Sequence, residues 1–134
     1  MRKLLTTFVC VWFTLAVWAG DGIYEKLQQI PQISEIQKLD VKPFQEYYQF
    51  WFEQPVDHSD PAKGTFRQRV LLGHKQSDAP VIVELEGYNI WSSEEGELAN
   101  ILKGNQLTIE HRFFDQSVPE GDSLGKPDHQ AGCR

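Results

Sequence analysis

The chain has 134 residues, 40% hydrophobic and 24% charged, with 13 Lys and Arg against 19 Asp and Glu for a net charge of −6. The length suits one small domain, and the apolar content is too high for a disordered chain. The acidic balance lacks the basic footprint that nucleic acid or an anionic lipid surface requires, and two cysteines are too few for a disulfide-rich scaffold or a four-thiolate zinc site.

Residues 1–19 read as a signal peptide. Arg2 and Lys3 precede an uncharged apolar run over residues 4–17, and Val17 and Ala19 are small residues at −3 and −1 for cleavage after Ala19. The run is shorter than the ~20 residues of a spanning helix, and Cys10 has no Leu-x-x-Cys pattern leading to it. The expected product is secreted, or periplasmic and held in the cell envelope, with no membrane attachment after cleavage. Cys133 is then its one thiol, and its role is open.

Residues 20–43 form a leader segment in which Ile23, Leu27, Ile30, Ile33, Ile36 and Leu39 recur every three or four positions. That spacing predicts short helical turns, interrupted by Pro31 and ended by Pro43. From Phe44 the period changes. The aromatic stretch at residues 47–52 predicts a strand, residues 55–64 are dense in turn formers, and residues 65–72 alternate well enough to return as its partner. Residues 80–86 predict a third strand, apolar enough at its start to be buried on both faces. Ser92-x-x-Glu95 reads as a capping box opening a helix, with Leu98, Ile101 and Leu102 on one face and Gly104 as the stop. Residues 107–110 predict a fourth strand. The order β-β-β-α-β is a hairpin feeding a parallel crossover. Beyond Pro119, residues 120–134 lose apolar periodicity and read as a divergent tail.

Several residues invite chemistry. Asp57 and His58 are adjacent in a turn, where neighbouring side chains rarely face one another, so they read as turn formers. The histidines at 58, 74, 111 and 129 fit no metal-ligand spacing, and neither a metal nor a cofactor is implied. The aromatic run reads as sheet packing in preference to a sugar-stacking face. Gly121-Asp122-Ser123-Leu124-Gly125 fits the G-x-S-x-G nucleophile elbow, but that elbow needs a strand before the serine and a helix directly after it. Residues 116–120 are no strand, and Lys126-Pro127-Asp128 opens no long helix. The motif also follows Glu110 too closely for the ~30 residues of a crossover unit, so Ser123 reads as a decoy.

Four motifs carry a resemblance. They are Phe52-Glu53-Gln54-Pro55-Val56-Asp57-His58, then Thr65-Phe66-x-Gln68-Arg69, then Val83-Glu84-Leu85-Glu86-Gly87-Tyr88-Asn89, then Glu110-His111-Arg112-Phe113-Phe114-x-x-Ser117-x-Pro119. In this order they resemble the secreted bacterial tripeptidyl and prolyl aminopeptidases, serine peptidases related to the lysosomal Pro-X carboxypeptidases. The resemblance covers residues 44–119.

The resemblance implies an α/β fold, the N-terminal part of an α/β-hydrolase domain and incomplete as it stands. It implies a peptide substrate, from whose N-terminus short peptides or single residues are released. In that fold one oxyanion-hole amide comes from the loop after the third strand, which makes Gly87 and Tyr88 the candidates. The nucleophilic serine and its Asp and His partners come later in chain order, so no catalytic residue is assigned to this chain. It reads as an N-terminal fragment, inactive alone. Glu86 and Glu110 are candidate substrate contacts. Arg112 is expected to pair with a buried carboxylate and pin the loop after the fourth strand, with His111 structural. Two other readings stand beside this one: a small secreted β-rich binding module using its aromatic face, and an envelope-associated interaction protein held by an uncleaved N-terminus.

Overall fold

The computed structural model describes residues 22–119, so the signal peptide, the tail, Ser123 and Cys133 lie outside the described residues. In chain order the elements are helix α1 (Ile23–Gln28), strands β1 (Ile33–Leu39), β2 (Glu46–Pro55), β3 (Thr65–His74) and β4 (Val81–Leu85), helix α2 (Glu97–Leu102) and strand β5 (Asn105–Ile109). The strands form one sheet in the order β1-β2-β3-β5-β4. Its pairs are antiparallel except β4–β5, which is parallel and needs the crossover that α2 and its preceding loop provide. The mixed sheet with few helices has the α/β character expected. The hairpin is its longest pairing, running without a shift from Glu46 opposite His74 to Pro55 opposite Thr65.

The leader corrects one expectation. Among its described residues only 23–28 are helical, and Ile33–Leu39 is a strand paired with β2. The cause is a β-bulge: the register shifts between Ser34 and Gln37, and Glu35 takes a φ of 52°. A bulge sets two residues against one, so Ile33 and Ile36 reach the same face although they are three apart. Both pack on the cluster of Leu27, Tyr48, Phe50 and Val70. A spacing of three thus imitates a helix.

The crossover corrects two more. Residues 80–86 carry the sequence signature of a strand buried on both faces, yet β4 is a sheet edge among the described residues, with Ile82 buried and Val81 and Leu85 58% and 76% exposed. Val83 and Leu85 stand in register with Leu107 and Ile109 and extend that apolar face outward. The capping box does not form. The N-cap of α2 is Gly96 with no side-chain bond, the Ser92 hydroxyl accepts from the Glu94 amide at 3.0 Å, and Glu95 pairs with Lys75 instead. Leu98, Ile101 and Leu102 are exposed, and α2 buries Ala99. The helix stops at Lys103, which takes the left-handed conformation (φ 53°). Gly104 is needed for close approach: a Cβ there would meet the Ile82 side chain and stand 2.8 Å from the Pro80 carbonyl oxygen.

A second cluster, on the opposite face, joins Phe44, Tyr47 and Leu71 to Ile90, and so binds the loop after β4 to the sheet. Gly73 lies in register with Tyr47 on this face, and a Cβ there would stand 2.6–2.7 Å from the ring carbons of Phe44. Overpacking a filled core costs about 1–3 kcal/mol, the loss expected for Gly73→Ala in a urea unfolding titration. A loss under about 0.5 kcal/mol would show that Phe44 can turn aside without cost.

Candidate functional site

The loop of residues 86–96 starts at the C-terminal end of β4 and runs back to the N-terminal end of β5, and backbone pairing fixes its start. The Glu86 amide donates to the Ile109 carbonyl and the His111 amide to the Tyr88 carbonyl, both at 3.0 Å. Two residues on, the Ile90 amide donates to Glu110 Oε1 at 3.3 Å, while the Ile90 side chain is buried against Phe44, Tyr47 and Leu71. The far end is clamped as well. The Gly96 amide donates to Gln106 Oε1 at 2.8 Å, Gln106 Nε2 donates to the Glu94 carbonyl at 3.2 Å, and Lys75 pairs with Glu95.

Between the first clamps lie Gly87 and Tyr88. Neither amide donates to an acceptor among the described residues. A Cβ on Gly87 would meet nothing within 4 Å, so this glycine faces open space. The Tyr88 ring is exposed and packs edge-on against Phe114, with centroids 5.1 Å apart. Among the described residues, the amides of both sequence-derived candidates thus lack an acceptor, while the backbone on either side of them is anchored. Glu86 is half-buried beside them.

Glu110 is placed differently from a substrate contact. It is 0% exposed and turned inward, so the expectation that it meets a substrate is corrected. Oε2 accepts the Ser117 hydroxyl at 2.6 Å, and Arg69 Nη1 stands 3.7 Å from Oε1. The Ser117 hydroxyl in turn accepts the Arg69 amide at 2.9 Å. Gln68 Nε2 donates to the Glu110 carbonyl at 2.6 Å, and the Glu110 amide donates to the Arg69 carbonyl at 3.1 Å. Main chain and side chain are both held.

The arginine expected to meet a buried carboxylate is therefore Arg69, not Arg112. The register explains it: Val70 lies opposite Ile109, which sets Arg69 beside Glu110 on one face. Arg112 still pins the loop, but through main chain. Its Nη2 donates to the Val56 carbonyl at 2.6 Å, and its guanidinium lies 4.7 and 5.3 Å from the ring centres of Phe113 and Phe66. Exposed His111 donates Nδ1–H to the Arg112 carbonyl at 2.7 Å. Ser117 was legible only as a motif letter, and its role rests on a fold-back that no local pattern announces.

Asp57 and His58 do not act on one another. The Asp57 carboxylate accepts the Lys63 ammonium at 2.6 Å, the Ser59 hydroxyl at 2.6 Å and the Ser59 amide at 2.9 Å. The Lys63 bond, then those from Ser59, pull its pKa from 3.8 down to about 2. Because the folded pKa is the lower one, the turn's stabilisation is complete above about pH 4 and is lost as pH falls through about 2. A carboxyl-carbon NMR titration should show that midpoint, and Lys63→Ala should return it toward 3.8. An unmoved midpoint would remove Lys63 as the cause.

In the aromatic run Tyr47, Tyr48 and Phe50 are buried in the two clusters, while Trp51 and Phe52 are half-buried. Among the described residues, no three His, Cys, Asp or Glu side chains converge as a metal site would require.

Comparison with known proteins adds to this geometry. The family model described as PS-10 peptidase S37 matches residues 18–132. Over 142 aligned residues the chain is 37% identical to a prolyl tri/tetrapeptidyl aminopeptidase of Streptomyces mobaraensis. The alignment takes in 96% of this chain and 30% of that relative, so the chain spans about 30% of the relative's length. The matched residues include every element described above, with the 86–90 loop, Glu110 and Ser117 among them.

Proposed function

Because the chain belongs to the PS-10 peptidase S37 family, we propose that it supplies the N-terminal part of a secreted serine exopeptidase that releases short peptides from peptide N-termini. Residues 44–119 are the opening of an α/β-hydrolase domain in this reading, residues 1–19 are a cleaved signal, and the substrate is a peptide with a free N-terminus. One observation carries it. The loop after β4 is clamped at Glu86, Tyr88 and Ile90, and leaves the Gly87 and Tyr88 amides without a partner among the described residues.

That arrangement suits acyl transfer. When a serine attacks a peptide carbonyl, the oxygen gains negative charge, and donors already aimed at it lower the barrier without having to reorganise. The absence of a side chain at Gly87 lets the carbonyl approach the backbone. Attack and proton transfer belong to a Ser, His and Asp outside this chain's motifs, in a peptidase of which this segment is one part. The relative named above is long enough to hold them.

The test is hydrolysis of a tripeptidyl p-nitroanilide with proline at the third position. A complete peptidase carrying this segment should cleave it and leave the N-acetylated form intact. The 134 residues alone should show no turnover, and Ser123→Ala should change nothing. Turnover by the short chain that Ser123→Ala abolishes would make the decoy the nucleophile. Equal cleavage of the acetylated substrate would replace the exopeptidase reading with an endopeptidase one.

A further inference from the structure

We propose that Glu110 is a positioning residue, whose buried carboxylate sets the 86–90 loop and thereby aims the Gly87 and Tyr88 amides. The assignment of a catalytic purpose to those amides rests on the peptidase reading above; the anchoring itself does not. Three observations converge on it. Glu110 has no exposed surface, although it follows the last residue of β5 at the end of the sheet where connecting segments usually meet water. Its Oε1 is the acceptor for the Ile90 amide, the third tie of a loop whose other two ties are main chain to main chain. Its Oε2 is claimed by Ser117, a fully buried hydroxyl that reaches back from the segment after β5 and simultaneously accepts the Arg69 amide of β3.

The carboxylate therefore ties together three pieces of chain through side-chain bonds: the loop after β4, the segment after β5, and, through Ser117 and Arg69, β3. A neutral apolar residue would leave the Ile90 N–H and the Ser117 hydroxyl unsatisfied in a dry site, which buried polar groups rarely tolerate. A carboxylate has lone pairs for both at once, while the Arg69 guanidinium at 3.7 Å balances its charge. The segment that carries Ser117 is itself tightly wound. The Phe113 amide donates to the Ser117 carbonyl at 2.7 Å, the Ser117 amide donates to the Phe114 carbonyl at 2.8 Å, and Phe113 and Asp115 take φ values of 65° and 45°. Such a fold-back costs conformational freedom, and here it delivers one hydroxyl to one carboxylate. Moving Ile90 would turn the peptide planes behind it, and Tyr88 and Gly87 are the next two residues but one along that chain.

The anchoring is read by amide hydrogen exchange on the 134-residue chain, with no turnover required. In the wild type the Ile90 amide should be protected. Glu110→Leu should speed its exchange by about tenfold or more relative to the β2 and β3 amides, the change expected on losing one hydrogen bond. Glu110→Gln keeps one acceptor oxygen and should rescue most of the protection. Ser117→Ala, which frees the carboxylate without removing it, should give an intermediate increase confined to Ile90 and its neighbours, and it carries the test if Glu110→Leu does not fold. An unprotected Ile90 amide in the wild type overturns the proposal, as does a Ser117→Ala or Glu110→Gln chain in which protection falls equally throughout the sheet. In the complete peptidase, Glu110→Leu should lower kcat several-fold with KM within about threefold, as expected for an interaction made in the transition state, and Glu110→Gln should restore most of the rate. Loss of Ile90 protection in a protein that cleaves no N-terminal peptide would uphold the anchoring and sink the peptidase reading. Unchanged protection in an active peptidase would sink the anchoring alone.

Discussion

Gly87→Val in the complete peptidase should lower kcat by about 10²–10³ while leaving the unfolding midpoint close to that of the wild type, the loss that follows removal of one oxyanion donor. Two features of the loop separate the activity effect from a folding effect. No atom lies within 4 Å of a Cβ built on Gly87, and its φ lies outside the left-handed region, so the fold accepts a side chain there. The obstruction falls on the substrate side, where the carbonyl must reach the amides. Gly73 and Gly104 give the opposite result, because their missing side chains are occupied by Phe44 in one case and by Ile82 and Pro80 in the other. Steady-state kinetics beside a thermal melt decide the matter. A kcat within about threefold of wild type removes Gly87 from the oxyanion site.

Lys75→Met should destabilise the chain by about 2–3 kcal/mol, on the low side for breaking a buried ion pair because both side chains keep some contact with water. Lys75 Nζ pairs with Glu95, and the two side chains are 15% and 12% exposed. The Lys75 ammonium also lies 5.6 Å from the Phe44 ring centre, so its loss removes a second favourable contact. What remains is a carboxylate in the loop before α2 with no cation to meet it. Glu95→Gln removes that stranded charge, so the double variant should lose less than the sum of the two single losses. A double-mutant cycle in urea measures the coupling, and additive losses would show that the pair contributes nothing beyond its separate groups.

Aromatic content made β2 readable and local alternation made β3 readable, and the two pair in a register that holds over ten residue pairs. Gly87 was singled out by the resemblance alone, which points to the loop after the third strand, and it stands two residues past Leu85, the end of that strand. What stayed illegible depends on contacts between distant residues. The bulge at Ser34–Gln37 converts strand spacing into helix spacing, and only the partner strand reveals it. Glu95 has the spacing of a capping box, yet a lysine twenty residues earlier holds it. Arg112 sits two positions from Glu110 in sequence, whereas Arg69 sits beside it across the sheet. Burial potential was legible in residues 81–85, but which face is covered depends on what lies against it, and an apolar run alone carries no such information.

The bulge also decides what the sheet can admit at its two rims. Beside β1 an incoming strand would meet a ladder broken at Ser34–Gln37, a residue in left-handed conformation at Glu35, and charges at Glu35 and Lys38. Such a rim refuses continuation, which is how natural sheets avoid fusing edge to edge. Beside β4 the geometry is the reverse: five residues, regular from Val81 opposite Asn105 to Leu85 opposite Ile109, with apolar side chains on the exposed face. Among the described residues the sheet is therefore polar in the sense of a growing lattice, sealed at β1 and receptive at β4.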